Sequence, residues 1–338
     1  MILHLLDPNK FTKPLTTFII DDGRFRNHHF LSLSSHGIEE TNQISSFKSP
    51  ISRNLFYNIN KFLLLSSKAN KIIVHGPVMI HFLFVFPFFL KKVIWVINGY
   101  ELGIISNNKS PYAKMVRFVF KNVYGHFTHI KGDSDLANAI LKSKAKYIYS
   151  PTYMSNLVKT DCFHSEDISK KQKVNVLVGN STDPTNNHIE IFNMIEEQIE
   201  EIDKIYCPLS YGIFRDYKDS IIKEGTKRFG DKFVALTDFM TIEEYTEFLK
   251  TIDVAIFNHN RQQAMGVTLS LLSLGKIVYC KGGTTSYNSL TERGFAVFAV
   301  NLIKEAGIKF NRNVDINKEL LESYYSKEQL LESYLKLN

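Results

Sequence analysis

The sequence predicts an α/β protein built from two doubly wound parallel sheets, and three observations lead to this fold class. Short apolar runs alternate with segments of helical length along most of the chain. These runs are continuously apolar, which is typical of parallel strands buried on both faces. A polar segment at residues 156–173 interrupts the alternation near the middle of the 338-residue chain. At roughly 150 residues per domain, this organisation indicates two domains.

The first half of the chain predicts one doubly wound domain, at residues 1–155. The predicted strands are Ile2–Leu6, His29–Leu33, Lys71–His75, Val93–Ile97, Phe127–Lys131 and Tyr147–Tyr149. The predicted helices are Ile51–Leu65, Val78–Leu90 and Tyr112–Lys121. Strands that alternate with helices in this way indicate βαβ units.

The second half predicts a linker at 156–173, a second domain at 174–312 and C-terminal helices at 313–338. The predicted strands are Val174–Val178, Lys204–Pro208, Phe233–Leu236, Val254–Phe257 and Ile277–Cys280. The predicted helices between them are Asn187–Ile199, Asp216–Phe229, Ile242–Leu249 and Val267–Leu274. Ligands of such folds bind at the carboxyl ends of the strands, so we expect the site in a cleft between the two halves.

One apolar stretch, residues 72–90, approaches the length of a membrane span and ends at Lys91 and Lys92. A span needs about 20 predominantly apolar residues, whereas two histidines, a glycine and two prolines interrupt this stretch. Its most apolar part, Val78–Leu90, is shorter than that. We therefore predict a buried strand followed by an apolar helix that lies on a membrane surface.

Charge and cysteine content exclude several classes of protein. Lysine and arginine number 41 against 34 acidic residues, a net charge of +7 that is too small and too dispersed to indicate nucleic-acid binding. This excess is compatible with an anionic membrane or a phosphorylated ligand. Cys162, Cys207 and Cys280 are widely spaced, which indicates a reduced intracellular protein without a structural metal. The amino terminus has no signal-peptide pattern, so we expect a cytoplasmic protein.

Small and polar residues follow the predicted strands of the second half. Gly179, Asn180 and Ser181 come directly after a strand, where backbone N–H groups and hydroxyls suit a phosphate or a sugar. An ordinary capped turn is the alternative interpretation. A second tight turn, Ser210-Tyr211-Gly212, follows the next strand.

The segment at 254–275 is the most informative, because a strand leads into a polar loop and then into a short helix. The loop carries Arg261, Gln262 and Gln263, and the helix opens with Gly266 and Thr268. A helix N-terminus beside an arginine predicts a diphosphate site. The glutamines add hydrogen bonds to sugar hydroxyls. The alternative is a surface loop with a solvated arginine.

In the first half, His75 and Glu101 stand at strand ends and are the candidate general bases. Purely structural roles for both residues remain the alternative. The sequence contains no GxGxxG, GxSxG, HExxH or P-loop motif. Residues 131–135 indicate a helix start rather than a metal-binding DxD pair.

Three segments of the second half, at 176–190, 207–212 and 261–280, closely resemble glycosyltransferase family 56. The segments at 75–79 and 97–102 resemble the family's first-domain motifs, and the likeness covers about residues 75–298. The resemblance implies the GT-B fold, with a nucleotide-sugar in the C-terminal domain and the acceptor at the N-terminal domain. It also implies an enzyme without metal or cofactor.

By resemblance, the enzyme transfers an acetamido-dideoxy sugar (Fuc4NAc-like) from a TDP-sugar to a polyprenyl-diphosphate-linked glycan. The product is a bacterial surface polysaccharide, such as enterobacterial common antigen or O-antigen. The location is peripheral, at the cytoplasmic face of the inner membrane. The donor site implied is Gly179, Asn180, Ser181, Ser210, Tyr211, Gly212, Arg261, Gln262, Gln263, Gly266 and Thr268. His75 and Glu101 remain the predicted catalytic residues, as the base or, for the carboxylate, as the group that stabilises an oxocarbenium ion.

The sequence departs from the usual GT-B pattern at one point. Many GT-B enzymes carry two glutamates around the helix that follows the Arg261 loop, and here Gln262 and Ser270 take those two positions. A non-catalytic two-domain protein that binds a sugar or nucleotide-sugar is the alternative function. A nicotinamide-dependent oxidoreductase is disfavoured because the GxGxxG fingerprint is absent.

Overall fold

The computed structural model describes residues 1–34, 39–49, 51–309 and 313–337, and it contains two compact units. Unit 1 comprises Met1–Leu157 and Lys327–Asn338, and unit 2 comprises Val158–Ser326. Each unit is built on its own parallel sheet with helices in the connections. The predicted fold class is therefore confirmed.

The described part of unit 1 holds a seven-stranded sheet with the order β3-β2-β1-β4-β5-β6-β7. Its strands are β1 (Ile2–Leu6), β2 (His28–Ser32), β3 (Ile44–Ser46), β4 (Lys71–His75), β5 (Val93–Val96), β6 (Gly125–Thr128) and β7 (Lys146–Tyr149). All neighbouring strands pair in parallel. The strand order reverses between β1 and β4, and ligands of doubly wound sheets bind beyond the carboxyl ends of the strands at such a point.

Helices connect these strands and bury their apolar faces against the sheet. They are α1 (Thr12–Ile20), α2 (Leu55–Lys68), α3 (Ile80–Val85), α4 (Tyr100–Asn107), α5 (Pro111–Lys121) and α6 (Lys131–Leu141). The Trp95 ring on β5 stacks on Phe120 of α5 with ring centroids 3.8 Å apart, and both side chains are fully buried. The strand predicted at Phe127–Lys131 is instead Gly125–Thr128, so it begins two residues earlier and ends three residues earlier, because Lys131 already begins α6.

The predicted helix at Val78–Leu90 is two shorter pieces, α3 and a 3₁₀ segment at Pro87–Lys92. Pro87 has no N–H group to continue α3, and Phe86 leaves the helical region with φ −117° and ψ 65°. In the described part of the chain, no helix combines the length and the apolar character that a membrane crossing requires.

Among the described residues, unit 2 holds a six-stranded sheet with the order β10-β9-β8-β11-β12-β13. Its strands are β8 (Val174–Val178), β9 (Ile202–Pro208), β10 (Phe233–Leu236), β11 (Val254–Phe257), β12 (Ile277–Cys280) and β13 (Phe298–Ala299). Its helices are α7 (His188–Ile195), α8 (Arg215–Phe229), α9 (Ile242–Lys250), α10 (Met265–Ser273), α11 (Thr285–Glu292), α12 (Leu302–Ala306) and α13 (Ile316–Tyr325). The strand order reverses between β8 and β11.

The last helix, α14 (Lys327–Leu335), packs on unit 1. Its Tyr334 is fully buried and donates a hydrogen bond of 3.1 Å to the carbonyl of Thr152. The segment predicted as C-terminal helices at 313–338 is therefore divided between the two units, because the apolar face of α14 joins the core of unit 1.

Most of the segment predicted as a linker, 156–173, lies in unit 2, where Ile168 is part of the core. The predicted boundary at residue 312 lies outside the described residues.

Candidate functional site

The turn after β8 requires a glycine at its first position. Gly179 has a φ of +66°, and a Cβ atom there would lie 2.5 Å from His188 Nε2 and 2.9 Å from Asn186 Oδ1. Any other residue would combine backbone strain with a steric clash. The glycine brings the backbone of this turn close to side chains that lie before and at the start of α7.

Asn186 is fully buried and joins the turn after β8 to the loop after β11. Its Oδ1 accepts a hydrogen bond of 2.9 Å from the Asn180 N–H and lies 3.0 Å from His259 Nε2. Its Nδ2 donates to Ser181 Oγ at 3.1 Å. Because an amide oxygen only accepts, His259 carries its proton on Nε2. Burial lowers the pKa of His259 to about 3, so this imidazole is neutral at physiological pH.

Arg261 lies beside this network and adds a cationic guanidinium group to it. Its Nη2 lies 2.9 Å from Asp183 Oδ2, and the Arg261 side chain is 40% exposed. Asp183 Oδ1 accepts hydrogen bonds from the N–H and the hydroxyl of Thr185. Partial burial raises the pKa of Asp183, but the hydrogen bonds from Thr185 and Arg261 outweigh it and leave the pKa below its ordinary value. The guanidinium is therefore held in place yet open to an incoming anion.

Helix α10 points its N-terminus at the same edge of the sheet. Ala264, the residue before the helix, is in the left-handed conformation with φ 56°, and it has no side-chain acceptor to cap the first turn. The first N–H groups of a helix have no partner within the helix and carry its positive dipole end. Thr268 on the first turn is buried and lines a small cavity with His259 and Gln263.

The predicted donor residues gather at the carboxyl edge of β8 and β11, with one turn beside it. Those at this edge are Gly179, Asn180, Ser181, Arg261, Gln262, Gln263, Gly266 and Thr268. The Ser210-Tyr211-Gly212 turn follows β9 and contacts the first turn, because the Thr182 N–H donates to the Tyr211 carbonyl at 2.8 Å. Ser210 and Tyr211 are exposed, and Gln262 is half-buried.

Sequence reasoning missed the residues that hold this edge together. They are Asp183, Thr185, Asn186, His188 and His259. The strand order was the missing information, because it makes β8 and β11 neighbours although 75 residues separate Val254 on β11 from Gly179. The hydroxyl of Ser270, which replaces one of the usual glutamates, donates to the Gly266 carbonyl at 2.9 Å.

In unit 1, His75 ends β4 inside a row of buried aromatic side chains. Its Nε2 lies 3.1 Å from His4 Nδ1, and its Nδ1 lies 3.1 Å from the Tyr153 hydroxyl. The row continues from His4 Nε2 to His28 Nδ1 at 2.9 Å. Burial lowers the pKa of His75 to about 3, so the ring is neutral and both of its nitrogens are engaged.

Glu101 lies on the first turn of α4 and is fully buried. Its carboxylate accepts hydrogen bonds from the Asn98 N–H at 3.1 Å and from Asn98 Nδ2 at 3.0 Å. Burial raises the pKa of Glu101 to about 7, although these hydrogen bonds act in the opposite direction. A carboxyl group with this pKa can both take and release a proton near neutral pH.

Glu101 and His75 belong to one cluster at the carboxyl edge of β4 and β5. Burial and the negative charge of Glu101 raise the pKa of Tyr153, whose hydroxyl contacts His75. The same two causes raise the pKa of Tyr100. The structure thus brings together both predicted bases, and it adds Asn98, Tyr100 and Tyr153, which sequence reasoning missed.

A cavity of about 710 Å³ opens beside this cluster. Its polar lining residues are Asp7, His81, Tyr100 and Tyr112. Most of the lining is apolar and comes from α2, α3 and their flanking residues, among them Leu55, Ile59, Val78, Phe82, Val85 and Phe86.

The fold resembles those of several solved structures, one of them a glycosyltransferase. HepE from Anabaena in complex with UDP superimposes with a TM-score of 0.68 and 13% identity, covering 99% of this chain and 98% of that chain. HepE in complex with UDP-glucose superimposes with a TM-score of 0.66 and 12% identity, covering 99% of this chain and 97% of that chain. A glycosyltransferase from Rickettsia africae ESF-5 superimposes with a TM-score of 0.68 and 10% identity, covering 99% of this chain and 97% of that chain.

The sequence itself matches the family described as 4-alpha-L-fucosyltransferase, glycosyl transferase group 56, over residues 67–313. This match includes every predicted site residue in both units, and it confirms the resemblance that the motifs indicated. The chain therefore belongs to glycosyltransferase family 56, and it is a glycosyltransferase with the GT-B fold.

Proposed function

We propose that this enzyme transfers an acetamido-dideoxy sugar of the Fuc4NAc type from a TDP-sugar to a polyprenyl-diphosphate-linked glycan. The reaction serves the synthesis of a bacterial surface polysaccharide such as enterobacterial common antigen or O-antigen. It takes place at the cytoplasmic face of the inner membrane, with the enzyme bound peripherally.

The proposal that the enzyme binds a nucleotide-sugar donor rests on one observation: Arg261 lies next to the N-terminus of α10, which has no side-chain cap. Backbone N–H groups and the helix dipole attract the diphosphate, and the guanidinium adds a bidentate charge. These groups stabilise the diphosphate as it leaves the sugar, without requiring a metal. Asn180, Ser181 and Gln263 supply the polar contacts around it.

The choice of nucleoside rests on the family resemblance, whereas the structural neighbour HepE was solved with UDP. Ser270 supports a deoxyribose donor, because a glutamate at this place in many GT-B enzymes binds ribose hydroxyls. The Ser270 hydroxyl is short and already bonds to the Gly266 carbonyl. TDP lacks the 2′-hydroxyl that such a glutamate would bind.

In unit 1, we assign Glu101 as the general base that deprotonates the acceptor hydroxyl. Its pKa of about 7 suits this role. His75 remains a predicted catalytic residue, but its pKa of about 3 and its two occupied nitrogens favour a positioning role through Tyr153.

An apolar rim, defined as Leu55, Phe56, Phe84, Val85 and Phe88, supports the peripheral membrane location. Phe56 is 81% exposed, Val85 63% and Phe88 67%. Lys91 beside the rim is exposed, and such a cation attracts anionic lipid. Lys92, the second lysine at the end of the apolar stretch, instead donates to the carbonyls of Ser66 and Ala69.

Ligand-induced stabilisation tests the donor assignment. We expect TDP to raise the melting temperature more than UDP or GDP, because a ligand at a hundredfold excess over its Kd adds about 2.7 kcal/mol. Transfer from TDP-Fuc4NAc to a prenyl-diphosphate glycan then tests the reaction. Equal stabilisation by all three nucleotides, or no transfer, would contradict the proposal.

A further inference from the structure

The cavity of unit 1 differs from a sugar site in its lining. Aliphatic and aromatic side chains from α2, α3 and the residues that flank α3 form most of its wall, among them Ile59, Val78 and Phe82. Sugar sites need hydrogen-bonding groups along their length, because unpaired hydroxyls lose affinity when they are buried. The volume of about 710 Å³ lies within the range of ligand pockets.

The lining of the cavity combines two kinds of side chain. Asp7, His81, Tyr100 and Tyr112 are polar, and Tyr100 precedes Glu101 in the chain. Among the apolar lining residues, Leu55 and Val85 belong both to the cavity wall and to the apolar rim. A ligand that matches both kinds of lining is a long hydrocarbon chain with a polar head.

We propose that this cavity binds the proximal isoprene units of the acceptor lipid, with its head group towards Tyr100 and Tyr112. The proposal rests on the proposed function, which supplies a prenyl-diphosphate acceptor. It adds that the enzyme draws the beginning of the lipid chain out of the bilayer into its own fold. The apolar rim then lies where the rest of the chain continues into the membrane.

Continuity between the rim and the cavity is the observation that favours a membrane-borne chain over a free small molecule. Phe82, which lines the cavity, packs on Phe62 of α2 at a ring-centroid distance of 5.3 Å. Phe56, on the same helix, is 81% exposed at the rim. One hydrocarbon chain can therefore contact buried and exposed apolar side chains at the same time.

The test measures binding of farnesyl diphosphate by calorimetry, without vesicles and with TDP in excess so that the donor site is occupied. Isopentenyl diphosphate is the matched probe, with the same head and one isoprene unit. We expect farnesyl diphosphate to bind with 1:1 stoichiometry and roughly a hundredfold more tightly, since each buried carbon adds to the affinity.

Substitutions on α2 locate the chain. Ile59→Trp fills the cavity and is expected to weaken farnesyl diphosphate binding at least about tenfold while leaving isopentenyl diphosphate unchanged. Asn60→Trp, the exposed next residue, is the control and should bind like the wild type. If Ile59→Trp fails to fold, Ile59→Asn makes the same wall polar without adding bulk.

Equal affinity for both diphosphates, or wild-type binding by both Ile59 variants, would overturn the cavity proposal. Binding of the farnesyl chain only when vesicles are present would overturn it too, because partition onto the rim would then explain the signal. Failure of the proposed function looks different. In that case TDP neither stabilises the protein nor supports transfer, whereas the farnesyl chain still binds in the cavity.

Discussion

The backbone of Gly76 lies directly against the carboxylate of Glu101. A Cβ atom at Gly76 would be 3.1 Å from Glu101 Oε1 and 3.2 Å from the Tyr100 hydroxyl, and Gly76 has a φ of +76°. The glycine that follows β4 therefore sets the position of the carboxyl group on α4. In this way the end of one strand positions the proposed base on the helix that follows the next strand.

We expect Gly76→Ala to lower the transfer rate by at least about tenfold, since displaced catalytic groups lose orientation. The left-handed φ adds roughly 1 kcal/mol of destabilisation, measured by urea unfolding. Gly103→Ala is the control, because a Cβ at this position of α4 meets nothing within 4 Å. A normal rate in Gly76→Ala would show that Glu101 does not need its present position.

The raised pKa of Glu101 predicts how transfer depends on pH. If its carboxylate is the base, kcat/KM rises tenfold per pH unit below about 7 and levels off above it. Glu101→Gln should lower the rate by about 10²–10⁴-fold and abolish this rise. An unchanged profile in the glutamine variant would exclude Glu101 as the base.

The Glu101 carboxyl group also predicts how the free energy of unfolding depends on pH. This free energy should fall as the pH rises, whereas the transfer rate should increase. Its pKa is about 7 in the folded state and 4.5 ordinarily, so the folded state binds the proton more tightly. The protonated Glu101 therefore stabilises the folded state fully below pH 4.5, and this stabilisation is lost as the pH rises through about 7. A difference of this size corresponds to about 3 kcal/mol as an upper bound. In Glu101→Gln this part of the pH dependence should disappear from urea unfolding.

The row of buried side chains that joins His75, His4 and His28 in unit 1 is expected to affect the stability of the fold rather than the chemistry of transfer. His4→Phe removes the contacts of His4 with His28 Nδ1 and His75 Nε2, and the loss at the buried His75 Nε2 costs about 1–3 kcal/mol. The pH midpoint of transfer should stay unchanged, because burial lowers the pKa of both His4 and His75 and keeps these two rings neutral. His29→Phe, at a half-buried position next to His28 on β2, is the control. A moved midpoint would assign the row a part in proton transfer.

Most strands were predictable from sequence because both faces of a parallel sheet are buried. The bounds of β1, β4, β8, β10, β11 and β12 agree with the predicted ones. The short strand β3 was missed, since three residues between polar segments carry no periodic signal. Helix α4 was missed as well, because it begins directly after the turn at Gly99.

The candidate sites were predictable only where their residues are close in the chain. The loop around Arg261 is contiguous, so its chemistry can be recognised from the sequence. Asn186 contacts His259 across 73 residues, and His4 contacts His75 across 71. Such contacts depend on the strand order, which hydrophobic patterns do not determine.

Arg261 is expected to serve the donor rather than the fold. Arg261→Ala removes a partly exposed ion pair with Asp183, which changes the free energy of unfolding by about 0–1 kcal/mol. Loss of the diphosphate contact should abolish measurable transfer and the stabilisation by TDP. Arg24→Ala, which removes another exposed arginine–aspartate pair, is the control. Full activity in Arg261→Ala would refute the donor-site assignment.

The apolar rim predicts salt-sensitive binding to anionic vesicles. Phe56→Ser and Phe88→Ser remove two of its most exposed rings, so the double variant should sediment with vesicles far less than the wild type. High salt should release the wild type in part, because Lys91 contributes through charge. Phe239→Ser is the matched control, since Phe239 is 83% exposed but lies in unit 2. If the control loses vesicle binding as strongly as the double variant, the rim is not the membrane contact. If the wild type does not sediment with vesicles even at low salt, the peripheral location itself is contradicted.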